Sequence, residues 1–383
     1  MFEDFFEKYF DDTHRQFRAT CKKFAEKEIA PNAYQWEEAE QFDRELYRKA
    51  ANAGILGISF PEQYGGGGGD IFHSICMSEE LIRGGSTGTV VGLGSLGIGL
   101  PPILDLGTEE QKTKYIPSVM RGDKIAALAI TEPGAGSDVA GVSTSATRNG
   151  DHYIVNGTKI FITSGVRADV VSVLTRTGSD PHGGLTFFVM ERGMPGFSVS
   201  RALKKTGWRA SDTAELSFDN VRVPVANRLG PEGSGFLTLM KNFQNERLGL
   251  AIQGYVIAEI CLEEAIRYAR ERQAFGKALS RFQVTRHKLA DMATKVFTAK
   301  TAAYECASRV KSGQYLVKEM SMAKNYAAQI AQEVSYEAVQ IFGGSGYMRE
   351  TLVERLSRDA RLLPIGGGTQ EIMNEIIAKM MQI

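Results

Sequence analysis

Apolar positions change their period twice along this chain. Up to about residue 122 they recur every three to four residues, the mark of amphipathic helices. Phe17, Cys21, Phe24 and Ala25 share one such stripe with Glu28, and Pro31 is placed to end that helix. Gly65 to Gly69 predict a loop. Thr108 followed by Gln111 predicts a capping box that opens another helix. From 123 to about 235 the runs become short and strand-like: D-H-Y-I-V, V-V-S-V-L-T, L-T-F-F-V-M and A-E-L-S-F-D. Asn149-Gly150 and Asn156-Gly157 read as hairpin turns on either side of the first of these. From Phe236 the helical period returns. Leu248, Ile252, Tyr255, Leu262, Ile266 and Ala269 form one stripe on a long helix. Further helical periods follow over 281–311, 315–342, 349–362 and 369–381. The expected fold is α+β and mainly α. It has a helical domain over 1–122, an antiparallel β-barrel domain over 123–235 and a four-helix bundle over 236–383.

Composition narrows the function. A chain of 383 residues is too long for one compact core. Its 45 Lys and Arg balance its 45 Asp and Glu, which argues against nucleic acid as the main partner. No apolar run approaches the roughly 18 residues of a membrane span, so no membrane partner is expected. The start, M-F-E-D-F-F-E-K-Y-F-D-D, is acidic and aromatic, unlike a secretion or transit signal. Cys21, Cys76, Cys261 and Cys306 are scattered without a C-x-x-C pair. Together these features predict a cytoplasmic protein with no metal site.

The chemistry concentrates in I-T-E-P-G-A-G-S-D, Ile130 to Asp138. An apolar strand-like segment, Ile125 to Ile130, runs into a turn of small residues. Gly134 and Gly136 are expected to let backbone approach a ligand through unusual dihedrals. Successive N–H groups of such a turn, with the hydroxyls of Thr131 and Ser137, suit a cofactor carrying pyrophosphate. Gly92 to Gly97 matches G-x-G-x-x-G but lies among helices with no preceding strand, so it is not read as a dinucleotide site.

T-E-P-G-A-G-S-D resembles the flavin-contacting signature of the acyl-CoA dehydrogenase family. Four more segments agree with that family in order: K-I-F-I-T-S-G at 159–165, R-Q-A-F-G-K at 272–277, Q-I-F-G-G-S-G-Y at 340–347 and G-G-T-Q-E-I at 367–372. The resemblance runs nearly end to end. It implies FAD, an acyl-CoA substrate and removal of an α-proton while a hydride leaves Cβ. It also implies a homotetramer and an electron-transferring flavoprotein as acceptor.

The resemblance assigns residues as follows. Many relatives carry the base in a Y-E-G-T motif, which here reads Gly366-Gly367-Gly368-Thr369. Gly367 stands at the glutamate position and has no side chain. A smaller set, the long-chain and isovaleryl-CoA dehydrogenases, places the base in an E-R-L pair early in the C-terminal domain. Here Gln244-Asn245-Glu246-Arg247-Leu248 occupies that place, so Glu246 is the expected base. Glu371 is the fallback carboxylate. The Gly367 N–H would face the thioester oxygen with a flavin ribityl hydroxyl. Leu128, Ile130, Thr131, Gly136, Ser137, Thr369 and Glu371 would contact FAD, and Phe161, Ile162 and Thr163 would line its ring. Arg272 would meet the pyrophosphate, with Phe275, Phe282 and Gln283 nearby. Gln340, Gly343 and Gly344 would meet the adenosine part. In the family the Arg272 and Gln340 contributions come from a neighbouring subunit. Ser137, Gln244, Asn245, Arg247 and Gly368 would contact substrate, Arg247 on its CoA portion.

Two rivals stay open at this stage. One is an acyl-CoA oxidase of the same fold, separable by reoxidation of reduced flavin in air. The other is a non-catalytic acyl-CoA-binding helical protein, separable by its lack of a flavin spectrum. The glycines between Gly84 and Gly99, with Gly366 and Gly367, are expected to open a deep pocket suited to medium-to-long or methyl-branched acyl chains.

Overall fold

The computed structural model describes residues 1–383. The longer N-terminal helices are α1 (Asp12–Phe24), α2 (Ile71–Arg83) and α3 (Glu109–Met120). The apolar stripe of α1 runs on through a π-helical turn, Ala25–Ile29, and stops before Pro31. The Thr108 hydroxyl accepts from the Gln111 N–H and the Gln111 side chain accepts from the Thr108 N–H, completing the expected capping box.

Eight strands follow: β1 (Ala126–Ala129), β2 (Ser145–Asn149), β3 (His152–Thr163), β4 (Val170–Arg176), β5 (Leu185–Glu191), β6 (Phe197–Ala202), β7 (Thr213–Pro224) and β8 (Arg228–Leu229). They form one sheet in the order β6-β7-β3-β2-β4-β5-β8, with β1 parallel to β4. The sheet is therefore mixed and not the expected closed antiparallel barrel. The reason lies in β1. It lies parallel to the first half of β4, Val170–Val173, on the side where β2 meets β4 only at Arg176, while β6 and β8 remain edges. Asn149-Gly150 does lie at the β2–β3 hairpin. Asn156-Gly157 does not turn. It lies inside β3 at a register shift against β7, where a side chain on Gly157 would meet Thr144 Oγ1 at 2.5 Å.

The C-terminal domain is a bundle of α4 (Gly235–Glu271), α5 (Gln283–Lys311) and α6 (Val317–Phe342), completed by α7 (Leu352–Ala360) and α8 (Gln370–Met381). Between α4 and α5 stands a small hairpin of β9 (Gln273–Ala274) and β10 (Lys277–Ala278). The stripe foreseen on α4 is buried at Leu248, Ile252, Tyr255, Leu262 and Ala269, and half-buried at Ile266.

One core runs through both helical domains and a second fills the sheet. Strand β1 alternates between them: Ala126 joins the first, while Ala127 and Ala129 join the second. Its end therefore delivers residues 130–137 to the junction of all three parts. A buried carboxylate locks the helical domains together. Glu79 on α2 accepts from the hydroxyls of Tyr255 and Tyr304 at 3.0 and 2.8 Å, and pairs with Arg18 and Lys300 at 2.7 and 3.0 Å. No single helix is long and apolar enough to cross a membrane.

Candidate active site

The turn after β1 is built around one carboxylate that the sequence analysis did not single out. Glu132 is buried. Its side chain accepts from Ser143 N–H, Ser143 Oγ and Thr144 N–H at 2.8, 2.6 and 2.8 Å, and pairs with Lys159 Nζ at 2.9 Å. Those donors and that cation hold its carboxyl at about 2, below the usual range, against the opposing effect of burial. Lys159, itself buried, also donates to the Ile130 carbonyl at 2.8 Å. The Ile160 N–H donates to the Thr131 carbonyl at 2.8 Å. Strand β3 and the T-E-P-G-A-G-S-D turn are thus tied together by charge and by backbone. Gly134 and Gly136 show no positive φ, so the expected unusual dihedrals are absent. What they supply is space, since a side chain at either would meet nothing within 4 Å. Gly136 and Ser137 are exposed, Leu128 and Thr131 half-buried and Ile130 buried.

Phe161 stands next to that backbone tie on β3. It lies at the second register shift of β3 against β7, has φ of 62° and leaves 65% of its surface exposed. Ser164 is also left-handed, at φ 60°. Such backbone costs about 1–3 kcal/mol per residue and persists only where neighbours fix it. Asp212 fixes the stretch from Ser164 onward. Its carbonyl accepts from Ser164 N–H at 2.9 Å, and its carboxylate accepts from Val166 N–H at 2.8 Å and Arg167 Nε at 2.7 Å. Ile162 departs from expectation. Its side chain is buried in the sheet core, so only its backbone can meet a ligand there. Thr163 is half-buried beside it.

The second element of the site is the meeting of α4 with the Gly366–Thr369 turn. Leu250 lies one helical turn beyond Glu246 on α4, and a side chain on Gly367 would overlap Leu250 Cδ1. Gly367 and Gly368 have φ of 63° and 96°, a backbone path that L-residues resist. Thr369 caps α8 by accepting from Ile372 N–H, and Glu371 is exposed in the first turn of that helix. Glu246 is half-buried. Burial raises its carboxyl to about 7, only partly offset by Arg247. Gln244 and Arg247 are buried, and Gln244 Oε1 and Arg247 Nε have no hydrogen-bond partner. Asn245 is exposed. Two buried polar atoms without partners beside a carboxylate of raised affinity for protons are what a site for a polar ligand requires.

Two predicted pocket glycines prove to be packing glycines. A side chain at Gly88 would meet the Trp208 carbonyl carbon at 2.8 Å, and one at Gly92 would overlap the Phe42 ring. Neither opens a cavity, because close-packed neighbours already fill the space. Gly366 keeps its expected openness: a side chain there would meet nothing nearer than the Leu362 carbonyl oxygen at 3.7 Å.

The remaining predicted contacts lie elsewhere. Arg272 follows α4, 26 residues after Glu246, or roughly 39 Å along the helix. Phe275 sits at the tip of the β9–β10 hairpin, 95% exposed at φ 50°. Its ring centroid is 6.3 Å from that of Phe282, and Gln283 is exposed beside it. Tyr268 stacks on Phe342 at 4.2 Å, which brings the ends of α4 and α6 together. Gln340, Gly343 and Gly344 are exposed there, the two glycines with open space where a side chain would be. The predicted contacts thus fall in three places: the turn after β1 with Phe161 beside it on β3, the meeting of α4 with the Gly366–Thr369 turn, and the far end of the bundle. Exposed and open positions in the first and the last suit a long cofactor with phosphates.

Known proteins resemble this chain from end to end. Family models described as the N-terminal, middle and C-terminal domains of acyl-CoA dehydrogenase match residues 11–123, 127–221 and 233–382. An acyl-CoA dehydrogenase of Bacillus subtilis is 42% identical, covering 94% of this chain and 96% of that protein. The mitochondrial long-chain specific acyl-CoA dehydrogenase of Sus scrofa is 40% identical, covering 97% and 86%. The crystal structure of acyl-CoA dehydrogenase from Geobacillus kaustophilus matches with a TM-score of 0.94 at 41% identity, covering 98% of this chain and 99% of that one. The chain belongs to the acyl-CoA dehydrogenase family and is an FAD-dependent oxidoreductase of acyl-CoA thioesters.

Proposed function

We propose that Glu246 is the base of an α,β-dehydrogenation whose product is a trans-2-enoyl-CoA. The observation that carries this reading is the meeting of Glu246's face of α4 with the side-chain-free turn at Gly367, through Leu250. A carboxyl held near neutrality suits proton abstraction at physiological pH. The Cα–H bond breaks, its proton goes to a Glu246 oxygen, and its electron pair forms the Cα=Cβ bond. The turn at 130–137 and Phe161 would hold FAD, which would supply the acceptor for the hydride that leaves Cβ. The Gly367 N–H holds the thioester oxygen while charge grows there. Arg247 and Gln244 offer their unpartnered polar atoms to the substrate.

The finer assignments belong to the same proposal. Open space at Gly366 supports an acyl chain with a methyl branch near the reacting carbons. Electrons pass onward to an electron-transferring flavoprotein. The tip carrying Phe275, with Arg272 and Gln340, serves a neighbouring subunit's cofactor in a homotetramer. The test is anaerobic flavin bleaching by straight and branched acyl-CoAs, in the wild type and in Glu246→Gln. Bleaching in the wild type alone, strongest with a 3-methyl-branched chain, is the expected result. Equal bleaching in both proteins would remove Glu246 from the reaction.

A further inference from the structure

The bundle buries a cation that no carboxylate pairs with. Lys324 on α6 is 0% exposed, and its Nζ donates to the Gly368 carbonyl at 2.6 Å. The charged groups that face it are Arg247 from α4 and Glu371 from α8. Arg247 carries the same sign, and Glu371 lies at an exposed position beyond ion-pair distance. Burial and Arg247 together pull the Lys324 ammonium down to about 8. An ammonium buried without a counter-ion is costly, and a Met of similar length would fill the same space at no such cost. The Gly366–Thr369 turn that Lys324 holds contains the left-handed Gly367 and Gly368, and Leu250 packs against it one helical turn from Glu246. A positive charge is thus fixed behind the one turn where the proposed reaction places a growing negative charge.

We propose that Lys324 is a positioning residue for the thioester oxygen: through the Gly368 carbonyl it sets the turn so that the Gly367 N–H meets that oxygen, and its charge favours the enolate. The inference rests on the reading of Glu246 and Gly367 given above. The step balances simply. The Cα–H bond breaks, the proton goes to Glu246, and until the hydride has left Cβ and the pair has formed the Cα=Cβ bond, part of its charge rests on the thioester oxygen, where the Gly367 N–H and the Lys324 field receive it.

The experiment uses FAD-loaded protein and acetoacetyl-CoA. This probe forms an enolate by losing a proton to solvent and needs no base from the protein. Its ultraviolet band gives the enolate fraction as pH is varied. The comparison covers the wild type, Lys324→Met, Lys324→Gln, Lys324→Arg and Glu246→Gln, with FAD content and thermal melting recorded for each. Lys324→Met is expected to raise the pH of half-conversion by about one unit or more, a tenfold loss of enolate. Its kcat should fall at least tenfold while KM changes less than about threefold. Lys324→Gln, which keeps a donor without charge, should fall between Met and wild type, and Lys324→Arg should recover part of the enolate. A merely structural lysine would change melting and FAD content and leave the half-conversion pH in place, and that result would overturn the inference. So would a set of substitutions that all lose FAD and fold. Failure of the underlying reading looks different: Glu246→Gln would turn over normally, or the wild type would bind acetoacetyl-CoA without favouring its enolate.

Discussion

Leu250 occupies the space where a side chain on Gly367 would project. The relationship couples the helix that bears Glu246 to the turn that bears the proposed oxyanion donor, and it leaves no room there for the glutamate of a Y-E-G-T motif. Gly367 also sits at φ 63°. Any L-residue there pays about 1–2 kcal/mol for the backbone, before Leu250 has moved. Gly367→Glu in a Glu246→Gln background is therefore expected to recover little activity and to lower stability. Adding Leu250→Ala should recover more, because it clears the overlap. Single-turnover flavin reduction and chemical denaturation of the three variants check this. Full recovery without Leu250→Ala would show that the turn adapts freely.

As the proposed base, Glu246 should set the pH dependence. Its carboxyl is raised from the ordinary 4.5 to about 7 by burial, and proton abstraction would need its ionised form. The kcat/KM for a saturated acyl-CoA should therefore rise with pH and level off above about 7. Glu246→Gln should lose roughly two to four orders of magnitude in kcat and abolish that limb. Stability follows the opposite sign. A carboxyl whose folded-state affinity for protons is raised favours the folded state while protonated. That contribution is lost as pH climbs from the unfolded value near 4.5 through about 7. Above this window Glu246→Gln should be the more stable protein, by on the order of 1–3 kcal/mol. Denaturation curves at pH 5 and pH 8 test the sign, and a variant less stable than wild type at pH 8 would contradict it.

The Glu132–Lys159 pair should behave as one unit. Lys159→Met leaves a buried carboxylate without its cation, a loss of about 3–5 kcal/mol. Because this pair ties the 130–137 turn to the strand carrying Phe161, FAD retention should fall in parallel. Glu132→Gln with Lys159→Met should cost clearly less than the sum of the single changes, since each alone strands the other's polarity. Strict additivity in denaturant melts, with FAD content unchanged, would mean that the pair does not support the turn.

These features differ in how far the sequence foretells them. The stripe Leu248–Ile252–Tyr255–Leu262 on α4 is a local, periodic signal, and the structure buries it. The parallel pairing of β1 with β4 joins segments more than forty residues apart and leaves no periodic mark, so the strand pattern alone points to an antiparallel barrel that the fold does not form. Gly92 looks the same in sequence whether it opens a pocket or accommodates Phe42, and only the packed partner decides. Glu132, Lys159 and Lys324 were passed over because a lone charge usually faces water. For Lys324 a signal existed. It falls on the apolar stripe of α6 with Met320, Ala323, Ala327 and Ala331, all buried, and a charge within such a stripe calls for a partner.

The hairpin tip carries the last prediction. Arg272 stands roughly 39 Å from Glu246 at the end of α4, with Phe275 on the hairpin beyond it, so under the proposed reading one chain's tip should not complete its own site. Phe275 is 95% exposed, and Phe275→Ser should cost the isolated chain little. If the tip serves a neighbour, Arg272→Ala and Phe275→Ser should weaken FAD binding at least tenfold while the fold melts normally. Subunit mixing separates this from a local defect. Glu246→Gln lacks the base but keeps an intact tip, and Arg272→Ala lacks the tip but keeps the base. When the two inactive proteins are unfolded, mixed and refolded, half of the paired subunits are mixed. Each such pair holds one site with both base and tip, so activity should return to roughly a quarter of wild type. No return of activity, or light scattering that finds a fully flavinylated monomer, would place the Arg272 group outside the site altogether.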